Sequence, residues 1–462
     1  MAPSSTNNGI NAIHKLVMWR DLTPYPRRLV NPTPNSPHVL IIGAGVTGLV
    51  TAWTLLDRGY KASNASLIKP RREPDLAPRA AVTIMAKAWA NYGSGPADRL
   101  TAQIAGALWE YPPAVCGSHT DDISLSHAKR WCMTAYHAWD AIASVPALSH
   151  ASGVRMLPAG FFFPKPVLDD PAQRFKMVEI MGSGVRGFRH AGPGLVGLRG
   201  VDGGYGGGAG VGDAYEILSP VIDTDQAMMW LMTLVLSKGA STVTESIDGD
   251  LLDYEEDLLA RFDADAIVNA TGLSGSTVAA DDSCYPLRGA LLRVINDGTD
   301  FPKVETALSI SADTALDGEI IFLVPRNDNI LLIGGVAQPH RGELDMTLRD
   351  PVVKRMRQRA EKFLPALRNA RLDPDYPLAQ GLRPCRGRNV RVERELRRKR
   401  GAMRPSRIVH SYGHGGSGWS LSFGCAADVL ELIEEALRGE EPSAMDYDPF
   451  YVVSKPATPI ED

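Results

Sequence analysis

The chain has 462 residues, of which 44% are apolar, and a formal net charge of −4. This composition predicts a soluble globular protein with ample material for a core and two or three structural units. No run of 18 apolar residues occurs, so a membrane span is not expected. Residues 1–28 lack the basic-then-apolar order of a secretory signal, so export is not expected. The charge balance argues against nucleic-acid binding.

The first predicted unit is a strand, a tight turn and a helix. His38–Ile42 is a short apolar run, and Val46–Leu56 has helical periodicity. The turn and helix start read Gly43-Ala44-Gly45-Val46-Thr47-Gly48. Gly43 permits the turn, Gly45 lets a pyrophosphate approach the backbone, and Gly48 allows close strand–helix packing. This context predicts a dinucleotide site without distinguishing FAD from NAD.

The second predicted strand, Ala81–Ala86, lacks the acidic residue that usually follows it in such sites. Lys87 stands near that position, where it either approaches an adenosine phosphate or ribose hydroxyl or is an exposed surface lysine. The preceding stretch, Lys61–Ala80, is polar, contains prolines and has no steady period. It indicates an insertion, either a disordered loop or a translated intron.

Further elements follow in the rest of the chain. In chain order they are a helix at Trp131–Ser144, a glycine-rich loop without a packed element at Gly192–Gly212, a helix at Thr224–Ser237, strands at Ala266–Ala270, Leu287–Ile295, Glu319–Val324 and Ile330–Ile333, and helices at Val352–Phe363 and Cys425–Leu437. The later strands are expected to pair antiparallel. The tail from Gly439 is expected to be loosely held.

A second glycine-rich turn lies near the C-terminus. A strand ending at Tyr412 is followed by Gly413-His414-Gly415-Gly416-Ser417-Gly418 and then by a helical pattern. The free amides at such a helix start can face an anionic group, and a flavin that becomes anionic on reduction is a suitable partner. An ordinary nicotinamide-linked dehydrogenase does not explain this turn.

This C-terminal stretch closely resembles the signature of the D-amino-acid oxidase family, which includes the D-aspartate oxidases. Blocks that resemble the same family follow in the same order at Ile267–Leu273, Tyr285–Gly289, Gly381–Pro384 and Arg391–Glu393. The resemblance covers most of residues 36–438. It implies an FAD-dependent oxidase that converts a D-amino acid into a 2-oxo acid, ammonia and hydrogen peroxide, with dioxygen as the acceptor.

The resemblance also implies the architecture, an α/β plus α+β fold. A Rossmann-like FAD-binding domain is expected beside a second, mostly antiparallel-sheet substrate domain, with the substrate between them. The FAD-binding domain is expected at 36–145, 215–285 and 379–438, and the substrate domain at 146–214 and 286–378. Residues 1–35 and 439–462 are expected to be tails.

Residue roles follow from the resemblance. Arg391 is implied to hold the substrate carboxylate, a task suited to a planar guanidinium, and the Gly416 carbonyl to accept a hydrogen bond from the substrate amine. Beyond the first glycine turn and Lys87, the implied FAD contacts, whose alternative role is core packing, are Thr101, Gly106, Ala107, Leu108, Ile247, Thr271, Gly415, Gly418, Trp419 and Ser420. The other nearby arginines, left as structural or surface charges, are Arg383, Arg386 and Arg388.

One position departs from the family pattern. Phe322 stands where the family usually has a tyrosine above the flavin, and no tyrosine occurs between Leu287 and Leu372. A second hydrogen bond to the carboxylate is then lost or supplied from elsewhere. This opens an alternative, a related flavin amine oxidase or dehydrogenase acting on glycine-like, N-methylated or specialised-metabolite amines. A catalytically silent flavoprotein is a second alternative.

Other polar residues receive structural interpretations. His410 and His414 are expected to be structural, because hydride transfer from a neutral amine needs no protein base. Arg326 and His340 are expected at the surface, with the pocket rim as the alternative.

The cysteines point to free thiols, because they are odd in number, widely spaced and never form C-x-x-C. They are Cys116, Cys132, Cys284, Cys385 and Cys425. Neither a disulfide framework nor a metal site is expected. The C-terminus lacks Ser-Lys-Leu, so a cytoplasmic location is expected and the peroxisome is left open. No nucleic-acid or membrane partner is expected, and a homodimer is compatible with the sequence.

Overall fold

The computed structural model describes residues 36–58, 82–91, 99–113, 121–202, 210–311, 320–388 and 390–448. The expected tail at 1–35, the insertion Lys61–Ala80 and Cys116 lie outside the described residues. The cysteines within them, Cys132, Cys284, Cys385 and Cys425, are free thiols. No cluster of three or more metal-ligating side chains occurs in these ranges.

The strands form two sheets. In chain order they are β1 (Val39–Ile42), β2 (Val82–Ala86), β3 (Val154–Phe163), β4 (Arg189–His190), β5 (Asp213–Ile222), β6 (Ser241–Thr244), β7 (Ala266–Asn269), β8 (Cys284–Ile295), β9 (Ala307–Ile310), β10 (Ile321–Pro325), β11 (Ile330–Gly334), β12 (Gln338–Pro339), β13 (Leu378–Arg386), β14 (Arg391–Arg394) and β15 (Ile408–Tyr412).

Helices cover both sheets. In chain order they are α1 (Val46–Arg58), α2 (Thr101–Ile104), α3 (Asp122–Ala143), α4 (Pro146–Ser152), α5 (Pro171–Gly182), α6 (Pro193–Leu198), α7 (Thr224–Ser237), α8 (Leu251–Phe262), α9 (Gly275–Val278), α10 (Pro351–Phe363) and α11 (Gly418–Arg438). Within the described part of the chain, none of these helices combines the length and the apolar character that a membrane crossing requires.

The first sheet has the strand order β14-β15-β7-β1-β2-β6, parallel except where β14 pairs with β15. The central strand β1 is apolar throughout because helices cover both of its faces. Val39 and Ile41 pack into the core formed with α1, α3 and α11, and Leu40 and Ile42 pack into the core formed with α8. This sheet confirms the predicted Rossmann-like layer.

The second sheet has the order β12-β8-β11-β10-β9-β3-β5-β4, with β13 also paired to β8. Its pairs are antiparallel except β3 with β9, which confirms the predicted mostly antiparallel sheet. One face packs on α10 through the buried side chains of Met356 and Phe363. The other face is turned towards the cavity described below.

The strand pairing moves two of the expected domain limits. β13 pairs with β8 along its full length, from Leu378 to Arg386, so the segment that begins at 379 starts inside the second sheet. β5 pairs with β3 over ten residue pairs, so the segment that begins at 215 also starts within that sheet. Both limits depend on which strands pair and in which register, and hydrophobic periodicity in the sequence does not predict that pairing.

Two segments are better ordered than the sequence predicted. The prediction that Gly192–Gly212 holds no packed element is wrong for α6, where Pro193 fits the first turn and Leu195 is fully buried; residues 203–209 lie outside the described residues. The prediction of a loose tail from Gly439 is wrong as far as Asp448. This carboxylate is buried against Arg130, and its backbone N–H donates to Ser126.

Candidate active site

A cavity of about 1010 Å³ lies where the two sheets meet. Its wall includes the end of β1 and the first glycine turn, the end of β2, several strands of the second sheet, and the glycine turn before α11. The two glycine-rich helix starts, far apart in sequence, therefore reach the same cavity. This position at the carboxyl ends of parallel strands is typical of nucleotide sites in α/β sheets.

The glycines of the first turn serve two purposes: Gly43 and Gly48 allow close packing, and Gly45 leaves space open. Gly43 has φ of +116°, and a Cβ there would lie 2.3 Å from the Ala270 carbonyl oxygen. A Cβ at Gly48 would lie 2.0 Å from the Gly43 carbonyl oxygen, and Gly48 does not line the cavity. A Cβ at Gly45 would meet nothing within 4 Å. Gly45 thus keeps open the space in front of α1, where a helix N-terminus attracts phosphate.

The C-terminal turn brings two buried polar atoms to the cavity. Ser411 Oγ and His414 Nε2 belong to residues of the cavity wall, and both lack a hydrogen-bond partner among the described residues. Buried polar atoms are seldom left unpaired, so these two fit a polar ligand such as a flavin. Burial lowers the pKa of His414 to about 4, and its ring is therefore neutral at pH 7.

His410 has a structural environment. Its ring nitrogens lie 3.2 Å from Asn269 Nδ2 and 3.2 Å from Glu395 Oε2, and it does not line the cavity. Burial lowers its pKa.

Most of the predicted FAD contacts share this cavity wall. They include Ala44, Val46, Thr47, Lys87, Thr101, Gly106, Ala107, Leu108, Ile247, Thr271, Gly415, Gly418, Trp419 and Ser420. The Gly416 backbone lines it as well. Their contacts with FAD remain predictions.

The wall beyond β2 contains both charge signs. Lys87 is exposed there, next to the segment that follows β6. In that segment the Glu245 carboxylate is held by two bonds from Arg261, of 2.7 and 2.6 Å. Asp248 also lines the cavity. No acid follows β2, but carboxylates in the cavity wall follow β6, the strand that pairs with β2.

Arg391 lies outside the cavity wall, which corrects its assignment to the substrate carboxylate. It stands on β14, the edge strand of the first sheet, and its Nε donates to Glu393 Oε1 at 2.7 Å. Its Nη1 donates to the Tyr412 hydroxyl at 2.8 Å. The pairing of β14 with β15 places Arg391 opposite Tyr412, so its guanidinium is engaged within the first sheet.

Arg383 lines the cavity, contrary to its prediction as a structural or surface charge, and so does Arg99, which pairs with Asp225 at 3.2 Å. A Cβ at Gly289 would lie 2.4 Å from Arg383 Nη1, so the guanidinium occupies the space that this glycine leaves on β8. Nη1 donates to the Val336 carbonyl at 3.1 Å, and no ion pair to a carboxylate is found among the described residues. Burial lowers the pKa of Arg383. An anionic ligand would complete this environment.

Phe322 lies in the cavity wall, and its ring packs on Gly106, where a Cβ would lie 2.3 Å from Cε1. Tyr285 on β8 also lines the cavity, and its ring is stacked on His340 with centroids 4.5 Å apart. His340 itself is exposed and outside the wall.

Arg326 is fully buried, which corrects both of its predicted positions, the surface and the rim. Its Nη1 and Nη2 donate to the carbonyls of Ala105 and Gln103, each at 2.7 Å, and Nε lies 3.2 Å from Asp223. The side chain ties the segment before Gly106 to the second sheet, and this long-range contact is what buries it.

Sequence reasoning missed two polar residues of the wall, Glu110 and Ser311. The Ser311 hydroxyl donates to Glu110 Oε1. The available signal was an acid within an apolar and aromatic run, since Leu108 and Trp109 precede Glu110 and Tyr111 follows it.

Comparisons with known proteins agree with this geometry. A family model described as FAD-dependent oxidoreductase matches residues 38–432. The D-amino-acid oxidase of Streptomyces coelicolor is 27% identical over 86% of this chain and 96% of its own length. The D-amino-acid oxidase of Rubrobacter xylanophilus is 26% identical over 87% of this chain and 97% of its own length. The solved glycine oxidase of Geobacillus kaustophilus shares the fold, with a TM-score of 0.60 at 18% identity over 91% of this chain and 99% of that chain.

Proposed function

The chain belongs to the family of FAD-dependent oxidoreductases and has FAD as its cofactor, and from this premise we propose that it oxidises D-amino acids at the α-carbon. The proposed products are a 2-oxo acid, ammonia and hydrogen peroxide, with water and dioxygen consumed. The single observation that carries the proposal is Arg383, a half-buried guanidinium in the wall of the cofactor cavity with no ion pair to a described carboxylate.

The two glycine turns hold the cofactor in this proposal. The turn around Gly45 takes the pyrophosphate, because the space before α1 is open. The turn around Gly415 takes the flavin, where Ser411 and His414 offer it the unpaired polar atoms. When bound, FAD supplies the two-electron acceptor for the hydride of the substrate α-carbon.

Two groups of this chain orient the substrate. Arg383 binds the carboxylate with a fork of N–H donors. The Gly416 carbonyl accepts a hydrogen bond from the amine. Two fixed points suffice to aim the α-hydrogen, since positioning is the main contribution that the protein makes to such a transfer.

No protein base is assigned. His414, the histidine in the described part of the wall, has its pKa lowered to about 4 by burial, so its neutral ring is too weak a base to take a proton from an ammonium group at pH 7. The amine that enters must therefore be neutral or lose its proton to solvent.

Phe322 favours a second candidate, a flavin amine oxidase or dehydrogenase for glycine-like or N-methylated amines. The ring offers no hydroxyl to the carboxylate and packs on Gly106, so Arg383 holds the carboxylate without help from a tyrosine on β10. Such a site suits a substrate without a stereocentre at the α-carbon, because fewer contacts are needed to present one of its hydrogens to the flavin.

The test is anaerobic reduction of the purified yellow holoenzyme. Loss of flavin absorbance is followed with a panel of D-amino acids, their L-enantiomers, glycine and N-methylglycine. Bleaching by D-amino acids, with peroxide formed on admission of air, is the expected result. Bleaching by glycine or N-methylglycine alone selects the second candidate, and no bleaching by any member contradicts both.

A further inference from the structure

Gly289 lies directly against the guanidinium that is proposed to hold the substrate carboxylate. A Cβ at this position would lie 2.4 Å from Arg383 Nη1, 2.7 Å from Cζ and 2.9 Å from Nη2. These are the three nearest heavy atoms, and all of them belong to the guanidinium. The space that a side chain at position 289 would take is therefore occupied by the carboxylate anchor itself.

The pairing of β8 with β13 explains this contact. Leu287 stands opposite Arg383, and Gly289 stands opposite Gly381. Arg383 and Gly289 are therefore diagonal neighbours across the ladder, within reach of a long side chain. Side chains two residues apart on a strand share a face, and Leu287, Gly289 and Leu291 all line the cavity. The guanidinium thus lies in the gap that the glycine leaves between two leucines.

A second contact holds the guanidinium from the side of β11. Its Nη1 donates at 3.1 Å to the carbonyl of Val336, a buried residue in the segment that follows β11. The gap at Gly289 and this carbonyl together define where the guanidinium lies. Its other N–H groups have no acceptor among the described residues, and Arg383 lines the cavity, so they are available to a ligand.

Gly289 differs from the glycines that the backbone itself requires. A Cβ at Gly43 or Gly48 would meet a backbone carbonyl oxygen, whereas a Cβ at Gly289 would meet the far end of a flexible side chain. Gly289 is also not among the glycines with positive φ, so the strand accepts an alanine there. A separation of 2.4 Å is about 1 Å shorter than an ordinary contact, so an added methyl group must displace the guanidinium by roughly that distance.

We propose that Gly289 is a positioning residue for the substrate carboxylate, because the space it leaves sets the place of the Arg383 guanidinium. This inference rests on the proposed function. Attachment at Arg383 and at the Gly416 carbonyl aims the α-hydrogen, so a shift of one attachment point turns the substrate. A misplacement of about 1 Å can lower a rate about 100-fold. A methyl group at position 289 is thus expected to weaken binding and turnover without removing any charge from the site.

The experiment compares two variants that add the same methyl group to the same pair of strands. Gly289→Ala displaces the guanidinium. Gly381→Ala changes the residue directly opposite, where the nearest neighbours of the new methyl group are atoms of Ile104 at 3.3 to 3.5 Å. Both glycines are buried and line the cavity. Gly381→Ala is therefore the control for the presence of a methyl group in this part of the wall.

Carboxylate binding is measured on the oxidised holoenzyme, without turnover. The probe is propanoate, which is D-alanine without its amine, and the shift of flavin absorbance on titration gives its Kd. Gly289→Ala is expected to raise this Kd about 10- to 100-fold, the range for a charged hydrogen bond, with FAD content and apoprotein stability retained. Gly381→Ala is expected to raise it less than about threefold. The rate of anaerobic flavin reduction by D-alanine should fall in Gly289→Ala by at least the same factor as propanoate affinity.

A double variant shows whether the methyl group acts through Arg383. The guanidinium is absent in Arg383→Ala, so the addition of Gly289→Ala to that variant is expected to leave the propanoate Kd unchanged. A methyl group that acted through the strand or the cofactor would weaken binding in both backgrounds. A merely structural role of Gly289 does not produce this non-additivity.

The outcomes separate the inference from the proposed function. The positioning role is overturned, and the proposed function left standing, if Gly289→Ala with full FAD content keeps the parent Kd, if Gly381→Ala raises the Kd equally, or if Gly289→Ala weakens binding further in the Arg383→Ala background. A Gly289→Ala protein that does not fold overturns it as well, because the strand must accept the methyl group. Propanoate that does not bind the parent, or binds Arg383→Ala equally well, overturns the carboxylate anchor and the inference with it.

Discussion

The guanidinium of Arg391 donates a hydrogen bond to the hydroxyl of Tyr412, with 2.8 Å between Nη1 and Oη. The Tyr412 hydroxyl in turn donates to Asp281 at 2.7 Å, and Arg386 Nε donates to the same carboxylate at 2.6 Å. Burial would raise the pKa of Asp281, but a hydrogen bond from the Ser283 hydroxyl, together with these two bonds and the Arg386 charge, holds it well below its usual range. The network joins β14 and β15 to β13, the strand that carries Arg383.

Arg391→Ala tests the structural role of this residue. It removes two charge-assisted bonds, to Tyr412 and Glu393, and is expected to lower the free energy of unfolding by about 1.5–3 kcal/mol. The KM is expected to change less than about threefold. Denaturant unfolding and steady-state kinetics measure the two effects. A KM raised about a hundredfold, at unchanged stability, would return Arg391 to the substrate site.

Arg383→Ala is expected to have the opposite profile. Loss of the carboxylate anchor should raise the substrate Kd by about 30- to 3000-fold, corresponding to about 2–5 kcal/mol. Stability should change little, because the half-buried cation has no ion pair to a described carboxylate. Arg383→Lys keeps the charge but loses the planar fork and should fall between. Anaerobic titration of flavin absorbance gives the Kd; an unchanged value removes Arg383 from the site.

The roles of Arg383 and Arg391 could not be assigned from the sequence alone. Both lie in arginine-rich blocks eight positions apart and are chemically identical. Only strand pairing separates them, since β13 joins β8 of the second sheet and β14 joins β15 of the first. One signal was available in Gly289, whose missing side chain leaves the space that the Arg383 guanidinium fills.

Elements with a clear period were predicted well, and those buried on all sides were not. The turn from Gly43 to Gly48 and the helix after it follow directly from the pattern. By contrast, α11 starts at Gly418 and not at Cys425, because residues 419–423 are all buried and so show no polar face. Glu110 and Ser311 lie 201 residues apart, and no local pattern predicts a contact over that separation.

The pH dependence of stability should report His414. Its folded pKa is lowered to about 4, whereas the unfolded ring titrates near 6.5. Between these values the unfolded state binds more protons, so stability falls as pH falls, by up to about 1.4 kcal/mol per pH unit. His414→Asn should flatten this part of the curve, measured by denaturant unfolding across the window. His340→Asn, at an exposed position, is the control, and a parallel loss of slope in both variants contradicts the assignment.

Lys87 is expected to contribute to binding the adenosine half of FAD. Because the side chain is exposed, Lys87→Ala should raise the FAD Kd by no more than about fivefold, near 1 kcal/mol. The effect should shrink at high salt. Reconstitution of the apoprotein, followed by flavin fluorescence at low and high salt, measures it, with ADP as competitor. Lys303→Ala, an exposed lysine outside the cavity wall, should leave the Kd unchanged.

Gly45 and Gly48 offer a matched pair of alanine substitutions in one turn. A methyl group at Gly48 would lie 2.0 Å from the Gly43 carbonyl oxygen, so Gly48→Ala must push α1 away and should cost about 1–3 kcal/mol or more of apoprotein stability. A methyl group at Gly45 meets nothing within 4 Å, so Gly45→Ala should leave the apoprotein intact. The added methyl instead enters the space assigned to the pyrophosphate, and the FAD Kd should rise about tenfold or more. Thermal unfolding of the apoproteins and FAD titration separate the two effects. Unchanged FAD affinity in a well-folded Gly45→Ala protein would mean that the phosphates lie elsewhere.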